Sequence, residues 1–252
     1  MSESSSARLA LVALRRQAVS GRHAGIVMTA VLLLGGATRL DAQVTRARDI
    51  GIDIDHLILG VNDLERGMQE FAKRTGVTPM KGGVHPGRGS QNALASLGNG
   101  QYIEILAPSN EPGVPANPMT AFKTLTPVGW ALHTTDLTRA MALLRDAGVA
   151  MSAIESGARA RPDGVRLSWQ TAAPTEVALA AAPFFIMWGA GSPHPSTQSP
   201  AGCSLSSVAM TEPEPAPLTA FLASAGVAVA VTRGAARGMS VTLNCPAGVV
   251  SF

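Results

Sequence analysis

The sequence predicts an α+β fold built from repeated modules. A predicted strand, a capped helix and two or three further strand-like runs follow one another three times along the chain. A Gly–Val pair follows each predicted helix, at residues 76–77, 148–149 and 226–227, where the glycine suits a helix C-terminus and the valine begins a strand. Because strands outnumber helices and directly follow one another, the pattern favours an α+β arrangement.

The elements of unit one can be assigned from residue types and their spacing. A strand is predicted over 54–61, and Asn62–Asp63 caps a helix that reaches residue 74. The apolar residues of this helix have helical spacing: Leu64, Met68 and Phe71. Strands over 92–97 and 101–106 complete the unit.

Units two and three repeat this order. Unit two has a strand near 128–133, the cap Thr135–Asp136, a helix with Leu137, Met141 and Leu144, and strands over 164–170 and 183–188. Unit three has a strand near 203–210, a Pro-rich helix start at 212–217, apolar Leu218, Phe221 and Leu222, and strands over 239–243 and 248–252. Connectors rich in Pro and Gly, at 108–118 and 189–202, separate the units.

The N-terminus predicts export. Arg15, Arg16 and Arg22 precede an uncharged run of 14 residues at 24–37, and Ala42 offers a small residue for cleavage before Gln43. We therefore predict a signal peptide over 1–42, a linker over 43–53 and a periplasmic or secreted mature protein. An uncleaved membrane anchor and a start codon placed too early are the alternatives.

Charge and composition exclude one class of partner. The pI is near 9.3, but residues 43–252 contain fifteen basic and fifteen acidic residues. This balance argues against a nucleic-acid-binding surface, and we expect no membrane association once the signal is cleaved. Only Cys203 and Cys245 are present; in an oxidising compartment they could form a disulfide, and two buried free thiols are the alternative.

Two predicted strands each carry an ionisable residue inside an apolar run. His56 lies within 54–61 and Glu104 within 101–106. A charge inside a strand is costly unless it is paired, bound to a metal or aimed into a wet pocket. The pattern therefore indicates that His56 and Glu104 meet in a cavity; the alternative is that both face outward.

Three separated motifs resemble the glyoxalase-like domain family of the vicinal oxygen chelate superfamily. They are HPGRGSQNALASLGNGQYIEILAP at 85–108, RPDGVRLSW at 161–169 and PFFIMWGAGSPHPS at 183–196. The resemblance covers about 54–196 and implies two βαβββ modules, at 54–109 and 127–189, whose mixed and antiparallel strands form an open cup. Residues 203–252 would then be a third, βαβββ-like half-module appended at the C-terminus.

The resemblance also implies a divalent metal held by residues on the first and last strands of each module. Module one supplies His56 and Glu104, but the aligned positions in module two are Gly129 and Met187. Neither glycine nor a thioether is a ligand for a hard divalent ion. We therefore expect no tightly bound metal, although Zn, Mn, Fe or Ni held by two protein ligands is left open.

The same motifs supply candidate ligand-binding residues. The glycine-rich turn at 85–92 presents His85, Arg88, Gln91 and Asn92 near the mouth of the cup, where Arg88 could pair with a carboxylate. The other candidates come from the later motifs: Arg161, Trp169 and Met187. A solvated surface hairpin is the alternative for Arg88, and a core position is the alternative for Trp169.

These features predict a protein that binds a small organic molecule in a cup. One hypothesis is an enzyme with lyase- or isomerase-type chemistry, in which His56 and Glu104 are metal ligands or an acid–base pair. A second is a non-catalytic sequestration protein with a degenerate metal site, and a third is an interaction domain with a vestigial cup. A homodimer is a further expectation that the sequence leaves open.

Overall fold

The structure, a computed structural model, describes residues 44–114 and 117–252. The predicted signal peptide over 1–42 lies outside these residues. No helix within the described part of the chain has the length and apolar character needed to cross a membrane. Residues 44–49, assigned to a linker from sequence, instead form helix α1, and Ala47 and Ile50 are buried in the core.

Module one has the predicted order of elements. Its members are β1 (Asp53–Gly60), α2 (Leu64–Thr75), β2 (Met80–His85), β3 (Ser90–Gly98) and β4 (Gln101–Pro108). Asp63 caps α2 by accepting a hydrogen bond from the backbone N–H of Arg66 at 2.8 Å. Gly76 ends the helix in the left-handed conformation, at φ 77°, which glycine adopts without steric cost.

Module two repeats the same elements. They are β5 (Thr126–His133), α3 (Leu137–Asp146), β6 (Glu155–Ala160), β7 (Arg166–Ala172) and β8 (Phe184–Trp188). Asp136 caps α3 through the N–H of Arg139 at 2.9 Å, as Asp63 does for α2. Short 3₁₀ turns at Pro118–Ala121 and Val177–Leu179 lie in the connecting segments.

The two modules share one eight-stranded sheet in the order β2-β3-β4-β1-β5-β8-β7-β6. The modules meet where β1 pairs antiparallel with β5, and each first strand also pairs in parallel with its own module's last strand. The predicted α+β fold with a cup-shaped sheet is thus confirmed. Apolar side chains of α2 and α3, such as Phe71 and Leu144, pack in the hydrophobic core.

The outer strands β2 and β6 approach each other and nearly close the cup. Arg159 on β6 donates a hydrogen bond to the backbone carbonyl of Gly82 on β2. Gly83 has φ 134°, and a Cβ there would collide with the carbonyl oxygen of Ala160. Glycine is therefore required where these two backbones meet.

The C-terminal unit has the predicted order of elements but a different sheet topology. It comprises β9 (Ser204–Glu212), α5 (Pro215–Ser224), β10 (Ala230–Arg233), β11 (Gly238–Cys245) and β12 (Gly248–Ser251), preceded by the short helix α4 (Pro195–Gln198). Its sheet runs β10-β9-β11-β12, so the first strand pairs with the second and third rather than with the last. The predicted order of elements is thus present in the C-terminal unit, while its strand pairing differs from that of modules one and two.

Cys203 and Cys245 form a disulfide, with an S–S distance of 2.09 Å. It links the segment that enters the C-terminal unit to the end of β11. The sequence left a disulfide and two buried free thiols as alternatives, and the structure has the disulfide.

Candidate functional site

A cavity of about 410 Å³ lies inside the cup, against the strands of module one and the outer strands of module two. His56 on β1 and Glu104 on β4 both line it. On β4 the alternation of side chains directs Tyr102, Glu104 and Leu106 into the cavity, while Ile103 and Ile105 are buried in the core. The size is within the range of small-molecule sites.

A β-bulge places Asp55 beside His56. The pairing of β1 with β5 shifts between Ile54 and His56, so Asp55 is an extra residue without a partner on β5. Such a bulge breaks the alternation of the strand and re-aims a side chain. Asp55 Oδ1 consequently lies 2.7 Å from His56 Nδ1, with both side chains buried.

Asp55 is a fully buried carboxylate surrounded by donors. Its Oδ2 atom lies 3.0 Å from Trp188 Nε1 and 3.1 Å from His194 Nε2, and His133 Nδ1 is 3.6 Å away. Burial alone would raise the pKa of Asp55, but the surrounding imidazoles of His133, His194 and His56 outweigh burial and hold the pKa well below its usual value. Asp55 is therefore ionised at neutral pH.

The ionised Asp55 fixes the tautomer of His56. A carboxylate can only accept, so the proton of a neutral His56 must be on Nδ1. The lone pair of Nε2 is then directed toward Glu104, whose Oε2 atom is 3.6 Å away. This separation is too long for a direct hydrogen bond. His56 is also stacked on Tyr102, with ring centroids 4.7 Å apart.

Glu104 is held by one amide and faces two imidazoles. Asn92 Nδ2 donates to Glu104 Oε1 at 2.6 Å, and His85 Nε2 lies 3.7 Å from the same oxygen. Burial lowers the pKa of His85, although the charge of Glu104 acts in the opposite direction. His85 is therefore neutral at pH 7, and its Nδ1 atom lies 3.0 Å from Ser90 Oγ.

A buried cation also lines the cavity. Arg159 is 4% exposed, and burial lowers the pKa of its guanidinium while Glu104 opposes that change. The usual pKa of a guanidinium is so high that Arg159 stays charged. Among residues 44–114 and 117–252, no carboxylate lies within ion-pairing distance of it.

Aromatic rings form much of the remaining wall. Trp169 and Trp188 contact each other edge to face, with centroids 5.7 Å apart, and Phe184 packs against His56 at 5.6 Å. Trp169, predicted as a ligand-binding residue, is thus at the cavity. The walls can accommodate an apolar or planar ligand body.

Asp55 and His56 have no polar counterparts in module two. His56 pairs with Ala131 and Ile58 pairs with Gly129, so exchanging the modules maps His56 onto Gly129. The pairing shifts a second time between Ile58 and Leu59, where Val128 is left without a partner on β1, and Val128 corresponds to Asp55. The Asp55–His56 pair is therefore confined to module one.

The register also corrects the counterpart assigned to Glu104. Glu104 is opposite Ile58 in module one, and Phe184 is opposite Ala131, the counterpart of Ile58, in module two. Phe184, rather than Met187, therefore corresponds to Glu104. Met187 faces the other side of β8 and packs against the core, because the side chains of Phe184, Ile186 and Trp188 are the ones that line the cavity.

The residues present do not make the four-ligand metal set that the superfamily implies. The counterparts Gly129 and Phe184 have no donor atom, and one oxygen of Glu104 already accepts from Asn92. Within the described ranges, no group of three or more His, Cys, Asp or Glu side chains is arranged to hold a metal ion. The expectation of no tightly bound metal stays a prediction.

The remaining predicted ligand-binding residues divide into two groups. His85, Arg88 and Asn92 line the cavity; Arg88 is largely exposed at its mouth, where it pairs with Glu155 at 3.0 Å. Gln91 and Arg161 are not part of the lining. Gln91 donates to the carbonyl of Pro108, and Arg161 pairs with Asp163 at 2.5 Å in the turn after β6.

Sequence reasoning missed Asp55, Arg159 and His194. The Asp55–His56 dipeptide was visible, but regular strand alternation places its two side chains on opposite faces. His194, in the Pro- and Gly-rich connector, caps α4 through the N–H of Ser196 and also contacts Asp55. Arg159 lies in the sequence ESGARA, which has no apolar alternation and so gives no signal for a buried strand.

Comparisons with known proteins agree with this geometry. A family model described as glyoxalase-like domain matches residues 54–226. A hypothetical protein from Staphylococcus aureus has a similar fold, with a TM-score of 0.62 and 15% identity, covering 80% of this chain and 98% of that chain. No curated protein matched the chain.

Methylmalonyl-CoA epimerases match over a smaller part of the chain. The enzyme from Mycobacterium tuberculosis is 20% identical, with a TM-score of 0.37, covering 54% of this chain and 85% of its own. A variant of the Streptomyces coelicolor enzyme, in complex with 2-nitronate-propionyl-CoA, is 18% identical, with a TM-score of 0.39, covering 55% and 97%.

The two modules form a cup-shaped α+β fold that encloses a cavity of small-molecule size. The chain belongs to the glyoxalase-like domain family.

Proposed function

We propose that the cavity binds a small carbon acid and that His56 and Glu104 move a proton on it, as in isomerase- or lyase-type chemistry. The observation that carries this proposal is the relay Asp55–His56–Glu104. Asp55 holds the Nδ1 proton of His56, and the free Nε2 lone pair and Glu104 Oε2 are 3.6 Å apart at the cavity wall. An imidazole so oriented is a general base whose protonated form the carboxylate stabilises.

In the proposed step, the C–H bond beside a carbonyl breaks and its proton goes to His56 Nε2. The electron pair of that bond moves into the carbonyl. The resulting imidazolium is stabilised by ionised Asp55, and the proton returns to carbon directly or after transfer to Glu104 Oε2. No step requires a ligand atom from module two.

The experiment is deuterium exchange in D₂O, which needs no knowledge of the final product. The probes are pyruvate, 2-oxobutyrate and phenylpyruvate, together with their neutral amides, followed by proton NMR. The protein is expected to accelerate loss of the hydrogen signal beside the ketone for at least one probe. Binding without any accelerated exchange would contradict the proposed chemistry.

The alternative function is sequestration of a small molecule. It is favoured by the replacement of polar counterparts in module two by Val128, Gly129 and Phe184. A protein of this kind would bind probes through the aromatic walls and leave their exchange rates unchanged. The same NMR experiment therefore separates the two functions.

We also propose that the protein is exported, to the periplasm or outside the cell. The charged leader and its 14-residue apolar run support this, and so does the disulfide, because disulfides persist mainly in oxidising compartments. The mass of the native protein is expected to match a chain that begins near Gln43. An intact Met1 in a soluble cytoplasmic fraction would contradict export.

A further inference from the structure

We infer that Arg159 binds the carboxylate of the substrate, so that the site takes small organic acids with an apolar body. This inference deepens the proposed function and rests on it only in taking the same cavity as the site. The argument begins with the cost of burying a cation. A buried charge persists where a partner compensates it, and a guanidinium has five donors to satisfy.

Arg159 has too few partners within the protein. Its hydrogen bond to the carbonyl of Gly82 uses one nitrogen, and within the described ranges no acidic side chain forms an ion pair with it. Glu104 acts on Arg159 only through space, from beyond ion-pair contact. Arg159 is nonetheless only 4% exposed, and it lines the cavity.

Arg88, the other cation at the cavity, differs from Arg159 both in its exposure and in having an acidic partner. The Arg88 side chain is 59% exposed and already pairs with Glu155 at the mouth. A carboxylate bound there would remain solvated and would compete with Glu155, so the interaction would be weak. A carboxylate at Arg159 would be desolvated, and it would supply the acceptors that the guanidinium lacks.

The position of Arg159 agrees with the proposed proton transfer. Arg159 and Glu104 line the same cavity, so a 2-oxo acid held at Arg159 can direct the C–H carbon beside its ketone toward Glu104 and His56. Trp169 and Phe184 offer ring faces and edges for the rest of the molecule. A cavity of about 410 Å³ accommodates an acid of the size of phenylpyruvate.

Calorimetric titration of three acid and amide pairs tests the inference. The pairs are pyruvate, 2-oxobutyrate and phenylpyruvate, each with its neutral amide, which keeps the shape and removes the charge. At least one acid is expected to bind about 30-fold or more tightly than its amide, because a desolvated charge pair is lost. Equal or weaker binding of every acid would overturn the inference.

Variants then assign the preference to Arg159. Arg159→Gln is expected to abolish the preference for the acid, whereas Arg159→Lys keeps a cation and retains part of it. Arg139→Gln, at an exposed arginine on α3, is the matched control and leaves binding unchanged. A preference that survives Arg159→Gln in folded protein would overturn the assignment.

Arg159 also ties β6 to β2, so thermal unfolding is measured for each variant. If Arg159→Gln does not fold, the preference of the wild type and its reduction in Arg159→Lys decide the question. The two proposals fail differently. Acids that bind through Arg159 without exchange would refute the proton transfer alone, while exchange that is equal for acids and amides would refute the carboxylate site alone.

Discussion

Replacing His56 by Ala is expected to lower the rate of deuterium exchange by about 10²–10⁴-fold, the usual contribution of a positioned general base. The side chain that accepts the proton is then missing, while the cavity and the Arg159 guanidinium remain. The rate is measured by proton NMR at saturating probe, with the probe that exchanges fastest in the wild type. Binding of that probe is expected to change much less than the rate.

Glu104→Gln separates the second member of the relay from the first. The amide keeps the size of the side chain but is a far weaker base than the carboxylate. Exchange is therefore expected to slow while the protein stays folded. Glu214→Gln, at an exposed glutamate in the C-terminal unit, is the matched control. Wild-type exchange rates in both His56→Ala and Glu104→Gln would place the chemistry elsewhere.

Replacing Asp55 by Ala is expected to destabilise the protein by about 3–5 kcal/mol, as measured by urea unfolding at pH 7. The change leaves the ring N–H groups of His56, His194 and Trp188 without their acceptor in a buried setting. Asp146→Ala, at an exposed aspartate, is the control and is expected to change stability by about 0.5 kcal/mol or less. Equal stabilities of the two variants would show that the Asp55 network contributes little.

The lowered pKa of Asp55 also determines how its contribution to the free energy of unfolding changes with pH. A carboxyl whose pKa is lower in the folded than in the unfolded state contributes stability above the unfolded pKa, near about 4. This contribution is lost as the pH falls through the folded-state pKa. The difference in unfolding free energy between wild type and Asp55→Ala is therefore expected to be smaller below about pH 4 than at pH 7.

The location of His56 and Glu104 in one cavity could be predicted because each is an isolated ionisable residue in an apolar run. The parallel pairing of β1 with β4 then places Glu104 opposite Ile58, two residues from His56. Local sequence is sufficient for this part of the site, since β1 alternates regularly from His56 to Ile58 and β4 from Tyr102 to Leu106. The helix caps are equally local: they were predicted at 62–63 and 135–136, and the structure has Asp63 and Asp136 as the capping residues.

The rest of the site depends on pairings that the local sequence does not encode. Asp55 reaches the relay through a bulge that exists only in the register of β1 against β5. Arg159 is buried because β6 approaches β2 across the opening of the cup, a contact between distant residues. Met187 was assigned in place of Phe184 because alignment through the helix caps does not fix the register of the last strand of module two.

The measurement that most directly tests the central claim is deuterium exchange by wild-type protein after treatment with a chelator and dialysis, with metal content determined on the same sample. The claim is that the Asp55–His56–Glu104 relay of module one moves the proton without the four-ligand metal set of the superfamily. We predict far less than one metal ion per chain and an exchange rate equal to that of untreated protein. About one Zn, Mn, Fe or Ni per chain before treatment, absent from Glu104→Ala, together with exchange that chelation abolishes and the metal restores, would contradict the account.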